Sequence, residues 1–191
     1  MQRPSATIAV FFLALSAMAC DSTSEPPLGE GVVMGSDGRQ YHLVAGQMST
    51  AVDTVSKWIG PAGGKLELIG EAKDSQLTKH FIVVPEGAVQ QNTLFTLKLA
   101  STEYLSVELR AEVQLPNGEY RDIGAYGFLK RIQVFLSYAW ATNLDESKTL
   151  TILWDPRNGR AHEKVGGSVS RTDKHVMVEL SHFSKYSVAL D

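Results

Sequence analysis

Leu105-Ser106-Val107-Glu108-Leu109-Arg110-Ala111-Glu112-Val113-Gln114-Leu115 runs directly into Pro116-Asn117-Gly118. In the first eleven residues every second position is apolar and the positions between are polar or charged. A strand turns successive side chains to opposite faces, so this stretch has one buried and one wet face, as on an antiparallel strand. Asn-Gly is the strongest short hairpin signal, because both residues tolerate positive φ, and it predicts a tight turn at Asn117-Gly118.

Shorter runs of the same kind lie on both sides. Strands are expected at Tyr41 to Ala45, Lys65 to Ile69, His80 to Val84, Leu94 to Ala100, Arg131 to Tyr138, Leu150 to Trp154, Val176 to His182 and Tyr186 to Leu190. Turn clusters separate them: Gly60-Pro61-Ala62-Gly63-Gly64, Pro85-Glu86-Gly87, Asn143 to Ser147, Asp155 to Gly159 and Gly166-Gly167. Met48 to Trp58 reads either way: Val52, Val55 and Ile59 have helical spacing, while the β-branched content favours a strand. No internal repeat is evident. Many short strands with Gly/Pro turns predict an all-β antiparallel sandwich.

Composition excludes several function classes. Eighteen Lys plus Arg against 21 Asp plus Glu give a formal charge of −3 in 191 residues. Nothing in that balance points to nucleic acid. One cysteine excludes an intramolecular disulfide framework and a zinc site built on several thiolates. His42, His80, His162, His175 and His182 lack metal-ligand spacing, so no metal or other cofactor is expected. Trp58, Trp140 and Trp154 are dispersed, which favours sheet or core packing over a sugar-stacking platform. Gly63-Gly64 and Pro85-Glu86-Gly87 are read as backbone turns, since a phosphate-cradling loop would open a helix and the residues after Gly64 alternate like a strand.

Residues 1–19 read as an address. Arg3 is a short positive start, and Ala6 to Ala19 is an uncharged run of fourteen residues. As a helix it would span roughly 21 Å, short of a hydrocarbon core of about 30 Å. That is the length of a signal-peptide apolar region, closed here by small residues. Residues 20–31, from Cys20 through Asp21-Ser22-Thr23-Ser24-Glu25-Pro26-Pro27-Leu28-Gly29-Glu30-Gly31, are polar, Pro/Gly-rich and without period, which reads as a flexible tether.

Ser16-Ala17-Met18-Ala19-Cys20 resembles the lipobox of bacterial lipoproteins. The resemblance implies cleavage between Ala19 and Cys20 and acylation of Cys20, with several acyl chains giving stable anchoring. Ala17 stands where leucine is commoner, and Met18 where a smaller residue is. The chain would then face the periplasm or exterior of a bacterial envelope.

Three further segments resemble the ZU-five domain of zonula occludens scaffolds, ankyrins and UNC-five netrin receptors: Ile59 to Leu68, Phe81 to Val89, and Ser181 to Ala189. The match is strongest over 57–190, within a sandwich expected at 32–191. It implies a β-sandwich that docks a protein partner through its surface or an edge strand. Gly31 to Val55 lies outside the match and is expected to add an extra hairpin.

His182-Phe183-Ser184 also resembles the self-cleavage site of the function-to-find domain, a relative of ZU-five. That resemblance implies Ser184 attacking the Phe183 carbonyl with help from His182. Continuing the alternation Val176, Val178, Leu180, His182, Ser184 would put base and nucleophile on one strand face, roughly 6.6 Å apart. The plainer reading packs Phe183 and Tyr186 in the core and leaves Ser184 bonded to backbone. The main expectation is a lipid-anchored, non-catalytic binding or structural module. The alternatives are autoproteolysis and a carbohydrate- or peptidoglycan-binding sandwich.

Overall fold

A computed structural model describes residues 30–46, 52–71, 77–156 and 160–191. Ala19 and Cys20 lie outside the described residues. Fourteen strands are described: β1 (Val32–Met34), β2 (Gln40–Leu43), β3 (Thr54–Ile59), β4 (Gly64–Glu71), β5 (Leu77–Val84), β6 (Thr93–Leu99), β7 (Ser106–Gln114), β8 (Tyr120–Asp122), β9 (Ile132–Ser137), β10 (Leu150–Asp155), β11 (Glu163–Gly166), β12 (Ser168–Ser170), β13 (His175–Leu180) and β14 (Lys185–Leu190). Among the described residues, one 3₁₀ turn covers Gly124–Tyr126.

The strands form two antiparallel sheets packed as a sandwich. The first follows the order β1-β2-β14-β7-β6-β3, with β10 on the other side of β14, β11 beyond β10, and β8 on β7. The second runs β12-β13-β9-β5-β4. Alternation explains the packing. Val107, Leu109, Ala111 and Val113 of β7 are all buried, and Leu109 and Ala111 lie opposite Leu97 and Phe95 of β6. The second sheet answers with Leu68, Ile82, Val134, Leu136 and Val176 in the same cluster. Each such side chain contributes about 1.5–3 kcal/mol by leaving water.

The β7–β8 hairpin forms, but its turn differs from the expected one. Leu115 accepts the Gly118 amide at 2.9 Å, and Gly118 alone in the turn has positive φ, at 87°. Pro116 is the reason: its ring fixes φ near −65°, which suits the first central position of a type I turn. Asn117 then follows at negative φ, and the left-handed step passes to Gly118 as a three-residue loop.

The hairpin expected within residues 31–55 is present as β1–β2, and it is joined to the first sheet. β2 pairs β14 through Leu43↔Ala189 and His42↔Leu190, so the β1–β2 hairpin belongs to the first sheet. β14 in turn pairs β10, and β10 pairs β11. A parallel bridge from Gly35 to His162 then closes β1-β2-β14-β10-β11 into a ring. A closed ring of five strands with antiparallel neighbours must contain one parallel contact, and this is it. Tyr41, Leu153 and Ala189 form a second buried cluster there, with Val33 and Leu43 against them. β10 and β14 are therefore buried on both faces: Ile152 and Val188 join the main core, Leu153 and Ala189 the smaller one. Of the ambiguous stretch from 48 to 58, the described part holds β3, a strand paired along its whole length with β6.

The two glycine motifs sit side by side. Gly63 (φ 78°) and Gly87 (φ 74°) both take left-handed turns, and the Gly87 amide donates to the Pro61 carbonyl at 2.7 Å. A Cβ at Gly63 would stand 2.5 Å from the Val84 carbonyl oxygen. This turn carries the chain from β3 in one sheet to β4 in the other.

Candidate functional site

The His182-Phe183-Ser184 segment does not continue β13. That strand ends at Leu180, and β14 begins at Lys185 in the other sheet. Residues 181–184 are the crossing between sheets, so the alternation stops there and the expected common strand face is lost. Phe183 is buried, edge-on to Phe128 at 4.7 Å and to Phe95 at 5.9 Å between ring centres. Its amide donates to the Gly124 carbonyl at 2.9 Å. The ring is an anchor that locks the crossing against the 3₁₀ turn.

His182 and Ser184 have separate partners. The His182 ring lies 4.9 Å from Trp154, and its Nδ1 is 3.2 Å from the Tyr186 hydroxyl. That hydroxyl also donates to the His182 carbonyl at 2.9 Å, and burial pushes the phenol's pKa up. Ser184 Oγ donates to the Asp155 carbonyl at 3.4 Å. The Ser184 carbonyl accepts the Leu109 amide at 2.8 Å, extending the β14–β7 ladder by one residue. Base and nucleophile are near in sequence and engaged elsewhere in space.

The other histidine of note is structural. His80 on β5 is buried, 5.2 Å from Trp140, and its Nδ1 accepts the Ser137 amide at 3.0 Å. Burial, with the nearby His175 adding a smaller effect, lowers its pKa to about 3. The imidazole is thus neutral and fixed as an acceptor. Among the described residues, no group of three or more His, Cys, Asp or Glu side chains is arranged to hold a metal ion.

The tryptophans divide. Trp140 is buried in the core and Trp154 packs at its margin, but Trp58 is 44% exposed on the outer face of the first sheet. There it meets Tyr120, itself 50% exposed, with ring centres 6.2 Å apart and planes 34° apart. Strand parity explains this: Ile59 is buried beneath the sheet, so its neighbour Trp58 points outward.

A cleft of about 440 Å³ opens between the β9–β10 connection and the turn joining β12 to β13. Tyr138, Leu144 and Val169 give it apolar wall; Lys148, Asp145 and Glu146 line the connection side, and Arg171 and Lys174 the turn side. The turn is held firmly. Tyr138 donates its hydroxyl to the Ser170 carbonyl at 3.0 Å, and its amide to the Lys174 carbonyl at 2.8 Å. Ser170 Oγ donates to Asp173 at 2.8 Å. Asp145 accepts both the amide and the hydroxyl of Ser147, which keeps its pKa low. Lys148, Arg171 and Lys174 form no ion pair among the described residues.

The cleft shares its end of the sandwich with the first described residues. Gly31 packs against Tyr104, Tyr104 bridges to Ala45, and the Ala45 amide donates to Asn143 Oδ1 at 2.8 Å, next to the cleft. Sequence reading missed this site because its charged residues fall in two separate groups, 145–148 and 171–174, that sit in loops without a motif. The turn clusters marked the loops but not their meeting. No protein-family model matches the chain, and no curated protein matches it.

Proposed function

We propose that this chain is an envelope lipoprotein, anchored through acylated Cys20, whose β-sandwich is a non-catalytic binding module. The observation that carries the binding role is the open cleft at one end of the sandwich, walled by cations that form no ion pair among the described residues. A fixed, concave, partly apolar site with a few polar groups is the ordinary form of a ligand pocket. The separate engagement of His182 and Ser184 favours binding over self-cleavage. Anchoring draws support from the apolar run ending in Ala19-Cys20 and from the absence of any other cysteine. The ZU-five resemblance adds a protein partner in the envelope as the larger context for the module.

Intact mass of the chain extracted in detergent from its native host tests the proposal. The expected species is Cys20 to Asp191 plus acyl chains, as one piece. An unacylated chain would overturn the anchor. Loss of Ser184 to Asp191 under denaturing conditions would replace the module by a self-cleaving domain.

A second reading has its own observation. The exposed Trp58–Tyr120 pair offers two tilted aromatic faces of the kind that stack on sugar rings. A rise in unfolding temperature with a peptidoglycan fragment or glycan, abolished by Trp58→Ala, would establish it.

A further inference from the structure

The cleft at the Arg171–Lys174 turn has a chemistry more specific than its shape. Resting on the reading of the sandwich as a binding module, we propose that this cleft takes a small phosphate monoester. Its phosphate sits on the turn side against Arg171 and Lys174, and its remainder lies on Tyr138 and Leu144.

The two walls differ in charge. The turn side presents Arg171 and Lys174, and the acid between them, Asp173, is turned away toward Ser170 Oγ. The connection side holds Asp145, Glu146 and Lys148. An anion is therefore directed to the turn side, while Glu146 opposes it on the other. Two cations on one wall favour a dianion over a single carboxylate. A phosphate monoester carries roughly −1.5 to −2 charges at neutral pH and offers three acceptor oxygens. Arg171 can meet two of those oxygens with its planar fork, and Lys174 supplies a point charge beside it.

Backbone geometry adds an independent reason. Lys174 is the one non-glycine among the described residues with positive φ, at 52°. Glycine fills such a position without steric cost, whereas a side chain there is disfavoured. A lysine at that position carries a conformational penalty and gains no ion pair among the described residues. Lys174 lines the cleft instead, and strained backbone of this kind gathers at functional sites.

The cleft's volume of about 440 Å³ fits a phosphate with a glycerol or sugar attached and leaves acyl chains outside. The ten steps along the chain from Cys20 to Glu30 reach at most about 36 Å when extended. A lipid headgroup and a soluble phosphate ester both offer the phosphate chemistry this site would take.

The test uses the full acylated chain in uncharged detergent. Its unfolding midpoint is followed against sn-glycerol 3-phosphate and, separately, short-chain dihexanoyl phosphatidic acid, each with sodium chloride at matched ionic strength as reference. The expected result is a saturable rise with at least one phosphate probe. A response to glycerol phosphate alone points to a soluble ligand, one to the lipid alone to a membrane headgroup, and one to both to the shared phosphate. Arg171→Gln and Lys174→Gly are each expected to weaken the response at least tenfold. Lys174→Gly should leave the ligand-free midpoint unchanged or higher, because it relieves the left-handed position, and so it separates binding from folding. No saturable rise with either probe, or an equal rise in both variants, overturns the proposal. Mass measurement on the same preparation reads the anchor independently, so failure of the cleft and failure of the anchor are told apart.

Discussion

His80 makes the fold sensitive to acid. In the unfolded chain its imidazole takes up a proton below about pH 6.5, whereas burial keeps it neutral to about pH 3 in the folded state. Geometry gives the same direction. Nδ1 accepts the Ser137 amide, so a proton added at Nδ1 would face an N–H donor and break a buried hydrogen bond. Between those two pH values the unfolded chain binds the extra proton, and acid therefore favours unfolding. This contribution is complete above pH 6.5 and is lost progressively down to about pH 3. In total it is on the order of 5 kcal/mol, comparable with the whole stability of a small domain. Between pH 6.5 and 5.0 alone it is about 2 kcal/mol.

His80→Asn isolates the effect. The amide oxygen of asparagine can replace Nδ1 as acceptor for Ser137 but does not titrate. Losing the ring's contact with Trp140 lowers stability at every pH, by about 1–3 kcal/mol. Urea unfolding followed by circular dichroism at pH 7.0, 6.0 and 5.0 should therefore show a steeper loss in the wild type than in the variant. His162, whose pKa is lowered chiefly by burial, titrates in both proteins and cancels in the comparison. Parallel pH profiles for the two proteins would refute the reasoning, because they would mean that His80 takes up its proton equally well in both states.

Other expectations come from the same packing. Phe183→Ala removes the ring that fills the space between Phe95 and Phe128, and urea unfolding should show a loss of about 3–5 kcal/mol. Gly35→Ala would bring a Cβ to 2.5 Å from the Tyr41 ring at the closure of the five-strand ring, costing about 1–3 kcal/mol by the same measurement. Ser184→Ala should leave the denatured chain as one piece, like the wild type, on intact mass analysis. A wild type in two pieces beside a mutant in one would establish Ser184 as a nucleophile.

The fold class was legible in the sequence wherever one face was buried and the other wet. β7 shows why: Val107 to Val113 alternate without a break, and burial follows the alternation residue by residue. Where a strand is covered on both sides the period disappears. Leu150 to Trp154 still read as a strand from its apolar run, but nothing there announced that Leu153 and Ile152 feed two different cores. Short strands such as β1, β11 and β12 carry too few residues to show a period at all. The turn at Pro116 was visible, while its type depended on proline overriding the preference of Asn-Gly. At Leu180 the failure was of another kind. The alternation continues in the sequence beyond the point where the chain leaves its sheet, and only the burial of Phe183 under Gly124 decides where the strand ends.

That last point bears on function more than on fold. A resemblance carried by three consecutive residues assumes that their local geometry travels with them, yet the partners of His182 and Ser184 are set by Trp154, Asp155 and Tyr186, which the motif does not contain. The cleft has the opposite character. None of its residues forms a motif, and its charge comes in part from a turn whose conformation is fixed by Tyr138, the residue that follows β9. β14 adds a mechanical constraint to both. It is paired with β10 along its full length on one side and with β7 and then β2 on the other. A break before Ser184 would therefore leave the last eight residues held in the middle of a sheet, with Tyr186 and Val188 still in the core. Release of that strand would require opening the sandwich, so a cleavage event alone could not act as a quick switch. Ligand binding at a preformed cleft needs no such opening, and on this ground the architecture suits recognition better than self-processing.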